Sequence, residues 1–377
     1  MSRNTCSASC IDEAEVRRND APADSRRWLY FPVQLFCILT LLLLLSACSA
    51  LNDSTQPTTA TPDEQKVNVF GTAANHVHAM LALPNDVLLV ATHYGLYRSA
   101  DTGKSWAGPN QGMGDMMTSS LTSSSLDRQH VYLLAEHSLS SQTGTIGLYA
   151  SSDGGSSWQL ASKASDTGKM YTIVAGNRSA NELYAYVPTK GANGFVVSQD
   201  GGKHFSSPGP LPFGRILGIL ALPGQPGQLL VYSNDGAARS SDGGAHWQTI
   251  KDFTSAVYNM TTSGPRAPIY ASGDQGIMVS KDGGKSFSLA YADARYSALT
   301  AVPGQPEMVY GKTGRMIYKS TDGGHSWKTL PQIKGNLENL VPDPQVSSRL
   351  FLSLSYPCAV YQFDQQNPTW TSLTPKT

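Results

Sequence analysis

The sequence predicts an all-β fold, a seven-bladed β-propeller of four-stranded antiparallel blades, and three observations predict it. An octapeptide of the form Ser-x-Asp-x-Gly-x-x-aromatic occurs six times in the 377 residues, at 99–106, 151–158, 198–205, 240–247, 280–287 and 320–327. Self-similarity at a near-fixed period means like supersecondary units packed beside one another. The steps between its aspartates (Asp101, Asp153, Asp200, Asp242, Asp282 and Asp322) are 52, 47, 42, 40 and 40 residues. That period suits a four-stranded blade and is too long for a leucine-rich repeat. The runs ahead of each octapeptide are short and rich in β-branched, aliphatic and aromatic residues, as in 88–93 (LLVATH) and 229–232 (LLVY), and no helical apolar period runs through the repeats.

Taken from the start of the chain, residues 1–47 read as a signal peptide of the lipoprotein type. Arg26 and Arg27 precede an uncharged stretch whose densest apolar part, 38–45, ends in Leu45-Ser46-Ala47-Cys48. A charged start, an apolar middle and small residues before a cut are the marks of export. The last four residues resemble a bacterial lipoprotein box, which implies cleavage before Cys48 and acylation of its sulfur, with an uncleaved membrane helix as the alternative. Both readings leave the arginines inside and the repeats outside. The expected location is therefore extracytoplasmic, anchored to the bacterial cell membrane or outer membrane. Residues 48–66 are rich in Ser, Thr, Pro and Asn and read as a tether with a mean reach of about 25 Å.

The propeller is expected over 67–377. Each octapeptide follows a Gly and a short strand, so it reads as a strand-turn-strand hairpin. Its Asp accepts backbone N–H groups, its Gly supplies positive φ, and its aromatic starts the return strand. A seventh unit lacks the octapeptide but repeats the strand order at 350–355, 359–363 and 369–370, with Trp370 lying 43 residues after Trp327. Inner strands are expected near 76–83, 116–123, 169–175, 214–221, 255–261, 294–301 and 336–341. Residues 66–70 are expected to pair with the last blade and close the ring, since an unclosed sheet exposes an edge.

Composition narrows the function classes. Lys plus Arg equals Asp plus Glu at 28 each, and the first 47 residues carry five of each sign, so the balance is neutral before and after processing. A phosphate backbone demands a basic stripe, and nucleic acid is not an expected partner. Of five cysteines only Cys48 and Cys358 would outlast processing, and a lipidated Cys48 leaves Cys358 without a partner, so no disulfide framework is expected.

The octapeptides resemble the BNR or Asp-box repeat of sialidases, xyloglucanases, sortilin-type receptors and propellers of the photosystem II assembly-factor type. The resemblance covers roughly residues 70–370. The unit containing His76, His78 and 91–99 further resembles secreted bacterial Asp-box proteins described as glycosyl-hydrolase-like. What this implies is a propeller; it is nearly silent on activity. The Arg-Ile-Pro motif of the sialidases has no counterpart ahead of the first octapeptide, and 214–217 (GRIL) is the nearest string.

Candidate chemistry is sparse. Glycoside hydrolysis needs two opposed carboxyl groups, and the acidic residues outside the octapeptides (among them Asp127, Glu136, Asp235, Asp274 and Asp293) show no pairing by spacing. His76 and His78 alternate along one strand and His93 falls on the next, so three imidazoles can converge within one blade. Three such nitrogens with an open position would suit Zn or Cu; the alternative is hydrogen-bonded strand residues near the channel mouth. No other cofactor is expected. His204, His246 and His325 sit in the turns and are expected to be exposed. Strings such as Gly103-Lys104-Ser105 lack the rest of a P-loop. The resulting expectation is a monomeric binding or assembly module that takes an envelope protein or glycan on its loop face and reaches the membrane through its lipid anchor. A glycosidase acting on extracellular glycans is the alternative.

Overall fold

The computed structural model describes residues 70–375 apart from 73–74, 109–112, 114–115, 139–142 and 294. The expected signal peptide, Cys48 and the tether lie outside them. Seven antiparallel sheets follow one another along the chain, at 77–99, 117–163, 172–198, 218–249, 257–291, 298–329 and 337–372, here called blades 1 to 7. Five sheets have four strands. In blades 1 and 3 the outermost strand is reduced to a single bridge, Arg98 to Ala107 and Val197 to Ser206. In blade 3 Pro208 follows closely in the sequence, and proline, having no N–H to donate, cannot extend the edge ladder there.

The first strands of successive blades lie side by side in cyclic order, and the first strand of blade 7 returns to that of blade 1. This closes the ring. Its interior consists of seven apolar clusters, each shared by two neighbouring blades; one joins Leu89 and Leu96 to Leu133 and Trp158, and the last joins Val90 and Tyr97 to Phe351 and Val360. Burial between blades, at about 25 cal/mol per Å² of apolar surface, therefore supplies the driving force sheet by sheet. Phe70, fully buried, stacks on Tyr97 with ring centroids 4.5 Å apart and enters the cluster between blades 7 and 1. Blade 7 takes all four of its strands from 337–372. Phe70 lies in a turn, and the remainder of the segment expected to pair with blade 7 lies outside the described residues.

The octapeptide forms the turn after the third strand of each of the first six blades. In the fourth, the Ser240 hydroxyl donates to Asp242 Oδ1 (2.8 Å) and accepts the amide of Gly244 (2.9 Å), while Asp242 Oδ1 accepts the amide of His246 (3.0 Å). The same bonds recur at Ser99, Ser151, Ser198, Ser280 and Ser320. The second glycine does more than adopt positive φ. A methyl group at Gly244 (φ 93°) would stand 2.2 Å from the ring of Phe195, and one at Gly202 2.2 Å from Leu148. In both cases the clash is with the preceding blade, so each turn also packs a blade onto its neighbour.

Three first strands begin with two core residues three apart, Val77 and Met80, Val257 and Met260, and Leu337 and Leu340, and in blades 3, 4 and 6 the same spacing (Met170 and Ile173, Ile216 and Ile219, Tyr296 and Leu299) straddles the strand start. Strict alternation would send the members of each pair to opposite sides. In blades 1, 5 and 7 a bulge between Val77/Ala79, Val257/Asn259 and Leu337/Asn339 absorbs the extra residue. His78, Tyr258 and Glu338 occupy the bulged positions, and bulges of this kind re-aim side chains.

Candidate functional site

Each first strand starts at the face where second and third strands turn, and runs toward the face that carries the octapeptides. His76, just before the first strand of blade 1 (Val77–Leu83), and His93, in the turn after its second strand (Val87–Thr92), therefore lie together at the face opposite the octapeptides. A buried polar scaffold fixes them. Asn75 Oδ1 accepts the amide of His76 and its Nδ2 donates to Thr92 Oγ1 (3.0 Å). Thr92 Oγ1 also accepts the amide of Tyr94 and donates to the Gly95 carbonyl (2.8 Å). From blade 2, Thr118 Oγ1 accepts the Thr92 amide (3.0 Å). All three of Asn75, Thr92 and Thr118 are inaccessible to solvent.

The structure brings together the three histidines that the sequence singles out. Ring centroids are 4.4 Å apart for His76 and His78, 4.8 Å for His76 and His93, and 6.0 Å for His78 and His93. Burial, followed by the charges of His76 and His93, lowers the pKa of His78 to about 4. Burial and then His93 also lower that of His76. At neutral pH the His78 ring is an uncharged base. His78 Nε2 and His93 Nδ1 are buried without a hydrogen-bond partner, an exception that buried polar atoms rarely make. His76 Nδ1 is held at 3.0 Å by the hydroxyl of Tyr356, from the second-to-third turn of blade 7, and the two rings stack at 4.9 Å.

Around the same face the strand starts present a mixed rim. The Arg215 guanidinium lies 5.9 Å over the ring of Tyr171, and Tyr171 and Tyr356 are 50% and 49% exposed, the two large exposed aromatics of this face among the described residues. Glu136 pairs with Lys169 at 2.6 Å, and the Tyr258 hydroxyl donates to Asp274. Lys312 Nζ donates to the carbonyls of Leu337 (2.8 Å) and Glu338 (2.5 Å). Burial raises the pKa of Glu338, with the Lys312 charge acting in the opposite sense.

Other expected residues are placed elsewhere. Asp101, Asp153, Asp200, Asp242, Asp282 and Asp322 hold their turns. His204 and His246 are about nine-tenths exposed and bond to Asp200 and Asp242. Asp127 sits at the octapeptide face and bonds to His130. Cys358 is a free, buried thiol whose pKa burial pushes up to about 11. Sequence reasoning missed Tyr356, Tyr171 and Glu338. The apolar-x-x-apolar spacing that heads the first strands could have marked Tyr171, His78 and Glu338 as one positional class.

Among the described residues no helix is long and apolar enough to cross a membrane. No family model matches the sequence, and no curated protein matches it. Solved structures do match. A GH74 enzyme from Niastella koreensis superposes with a TM-score of 0.64 at 14% identity, over 78% of this chain and 53% of that one. The GH74 xyloglucanase from Xanthomonas campestris gives 0.61 at 16% identity, over 80% and 54%. YCF48 in complex with a D1 peptide gives 0.54 at 14%, over 74% and 89%. The chain thus spans about half the length of these GH74 enzymes and most of the length of YCF48. At such identities the likeness is one of fold.

Proposed function

We propose that this chain is an extracytoplasmic Asp-box propeller, held to the membrane by a lipid on Cys48, that binds a protein segment in the cell envelope across the face opposite the octapeptides. The observation that carries this reading is the exposed rim of Tyr171 under Arg215 with Tyr356 across the ring. Solvent-exposed aromatic and arginine side chains are the residues that anchor protein partners. The match to nearly the whole of YCF48, a propeller seen with a bound peptide, supports the same reading. Affinity capture from envelope extracts with the full chain tests it, and Tyr171→Ala with Arg215→Ala should lose the captured protein while leaving the melting temperature unchanged. Capture that is indifferent to both substitutions overturns it. For the anchor, Cys48→Ser should release the chain from the membrane fraction.

A glycosidase is favoured by one observation, the half-buried Glu338 carboxyl whose pKa burial raises, the direction in which a general acid is tuned. Polysaccharide cleavage by the parent that Glu338→Gln abolishes would replace the binding reading with this one.

A further inference from the structure

We propose that His76, His78 and His93 form a three-imidazole site for one zinc ion, with a fourth coordination position open at the channel mouth and Tyr356 orienting the His76 ring. One nitrogen from each ring lies within 4.8 Å of the others. Two of the rings also each carry a nitrogen, His78 Nε2 and His93 Nδ1, that is buried with nothing to bond to. A cation between the rings would satisfy both at once and so account for an arrangement that otherwise costs stability. The third ring is already set for the task. The His76 Nδ1–Tyr356 hydroxyl contact would, in the zinc-bound form, have Nδ1–H donating to the Tyr356 oxygen and so leave the lone pair of Nε2 for the metal, the arrangement by which outer partners select the tautomer of a ligating histidine.

The donor set narrows the metal to the imidazole-binding ions, of which zinc is proposed for its tetrahedral preference with three protein ligands and an open fourth position. Three neutral imidazoles without a carboxylate suit zinc and do not suit magnesium or calcium, which take oxygen. Zn–N bonds of about 2.0–2.1 Å in a tetrahedral site place nitrogens about 3.3 Å apart, so the rings must draw together by at most about 1.5 Å. His76, partly exposed on one side, can supply much of that by side-chain rotation. The scaffold of Asn75, Thr92 and Thr118 fixes the backbone on which the rings turn. The fourth position would take water or an anionic group of a ligand. Tyr356 belongs to both readings, so the two are separated by Tyr171 and Arg215, which flank blades 3 and 4 away from the histidines: their loss should abolish partner capture and leave zinc binding unchanged.

The test uses the full chain, stripped with chelator and titrated with zinc sulfate against a chromogenic competitor. Expected is one zinc per chain, a thermal transition that rises with zinc by mass action, and ligand-field absorption typical of tetrahedral coordination when Co(II) replaces zinc. His78→Ala and His93→Ala should each weaken binding by about 100-fold and Tyr356→Phe by about 10-fold, the scale on which outer-shell losses act. The His204→Ala/His246→Ala protein should match the parent. Melting curves in chelator identify any variant that fails to fold, and the Co(II) spectrum of the parent stands without any variant. A parent that retains no stoichiometric zinc, or a folded triple-alanine variant that binds as the parent does, overturns the proposal.

Discussion

The two faces of the ring are built on opposite terms. On one, six turns repeat a single hydrogen-bond pattern in which serine, aspartate and backbone satisfy one another and each glycine lets its blade lie on the one before. On the other, successive strand starts carry different side chains, and two ring nitrogens of a single blade are buried without a partner side by side, whereas the unpartnered atoms of the octapeptide side, Trp247 Nε1 and Arg349 Nε, stand singly in different blades. Saturated, repetitive bonding makes a rigid frame; unsatisfied, non-repeating groups on that frame are where a ligand can be selected. The six aspartates therefore explain the shape of the molecule, and the residues that break the repeat are those on which the proposed function rests.

The largest expected effect tests whether the turns also join blades. Gly244→Ala should destabilise by about 3 kcal/mol, from overpacking against Phe195 of about 1–3 kcal/mol and a positive φ costing about 1–2 kcal/mol, read from urea unfolding. A loss of less than about 1 kcal/mol would show that the turn can move off its neighbour.

Ser240→Ala comes next. It leaves the buried Gly244 amide unpaired and should cost about 1–3 kcal/mol.

A smaller effect appears in acid. The Asp282 carboxyl is partly desolvated, which alone would raise its pKa, but the hydroxyl and amide of Ser286 and the hydroxyl of Ser280 outweigh this and hold it at about 2, below the ordinary 3.8. A carboxyl depressed in the folded state adds stability that is complete above the unfolded value and lost as pH falls through the folded one. The parent should thus lose melting temperature between pH 3.8 and about 2, and Asp282→Asn should show a shallower fall over that window. Because this side chain is exposed, solvent screening keeps the difference below that of Ser240→Ala.

The smallest effect has the opposite sign. In chelator, His78→Leu removes an unpartnered buried nitrogen from the other face and should leave stability unchanged or raise it by up to about 1 kcal/mol. A large loss there would mean that the two faces are bonded alike.

Much of this was legible in the chain. Six octapeptides marked six turns, the 43-residue step from Trp327 to Trp370 marked the seventh blade, and the expected inner strands fall within a few residues of those observed. These are local signals, carried by residues that touch their sequence neighbours. The His76–Tyr356 contact joins positions 280 residues apart and leaves no period to read. The bulges were hidden for a related reason: alternation in a strand is taken as unbroken until two core residues three apart show otherwise. Buried Glu182, which bonds the amides of Asn177 and Arg178, was equally unmarked, since a carboxylate in a hairpin reads as solvated until its neighbours are known.

Blade 7 is made from one uninterrupted run of chain, so among the described residues first and last modules meet at a join without exchanging strands. The join is held by Phe70, by the Trp106 indole donating to the Leu373 carbonyl (2.8 Å) and by Arg349 reaching both Asp86 and Asp343. Such a hoop has a latch where other designs have a splice. Tension on the carboxyl end would unfasten a whole module at once, and the His76–Tyr356 contact, which spans that latch, would be among the first to feel it.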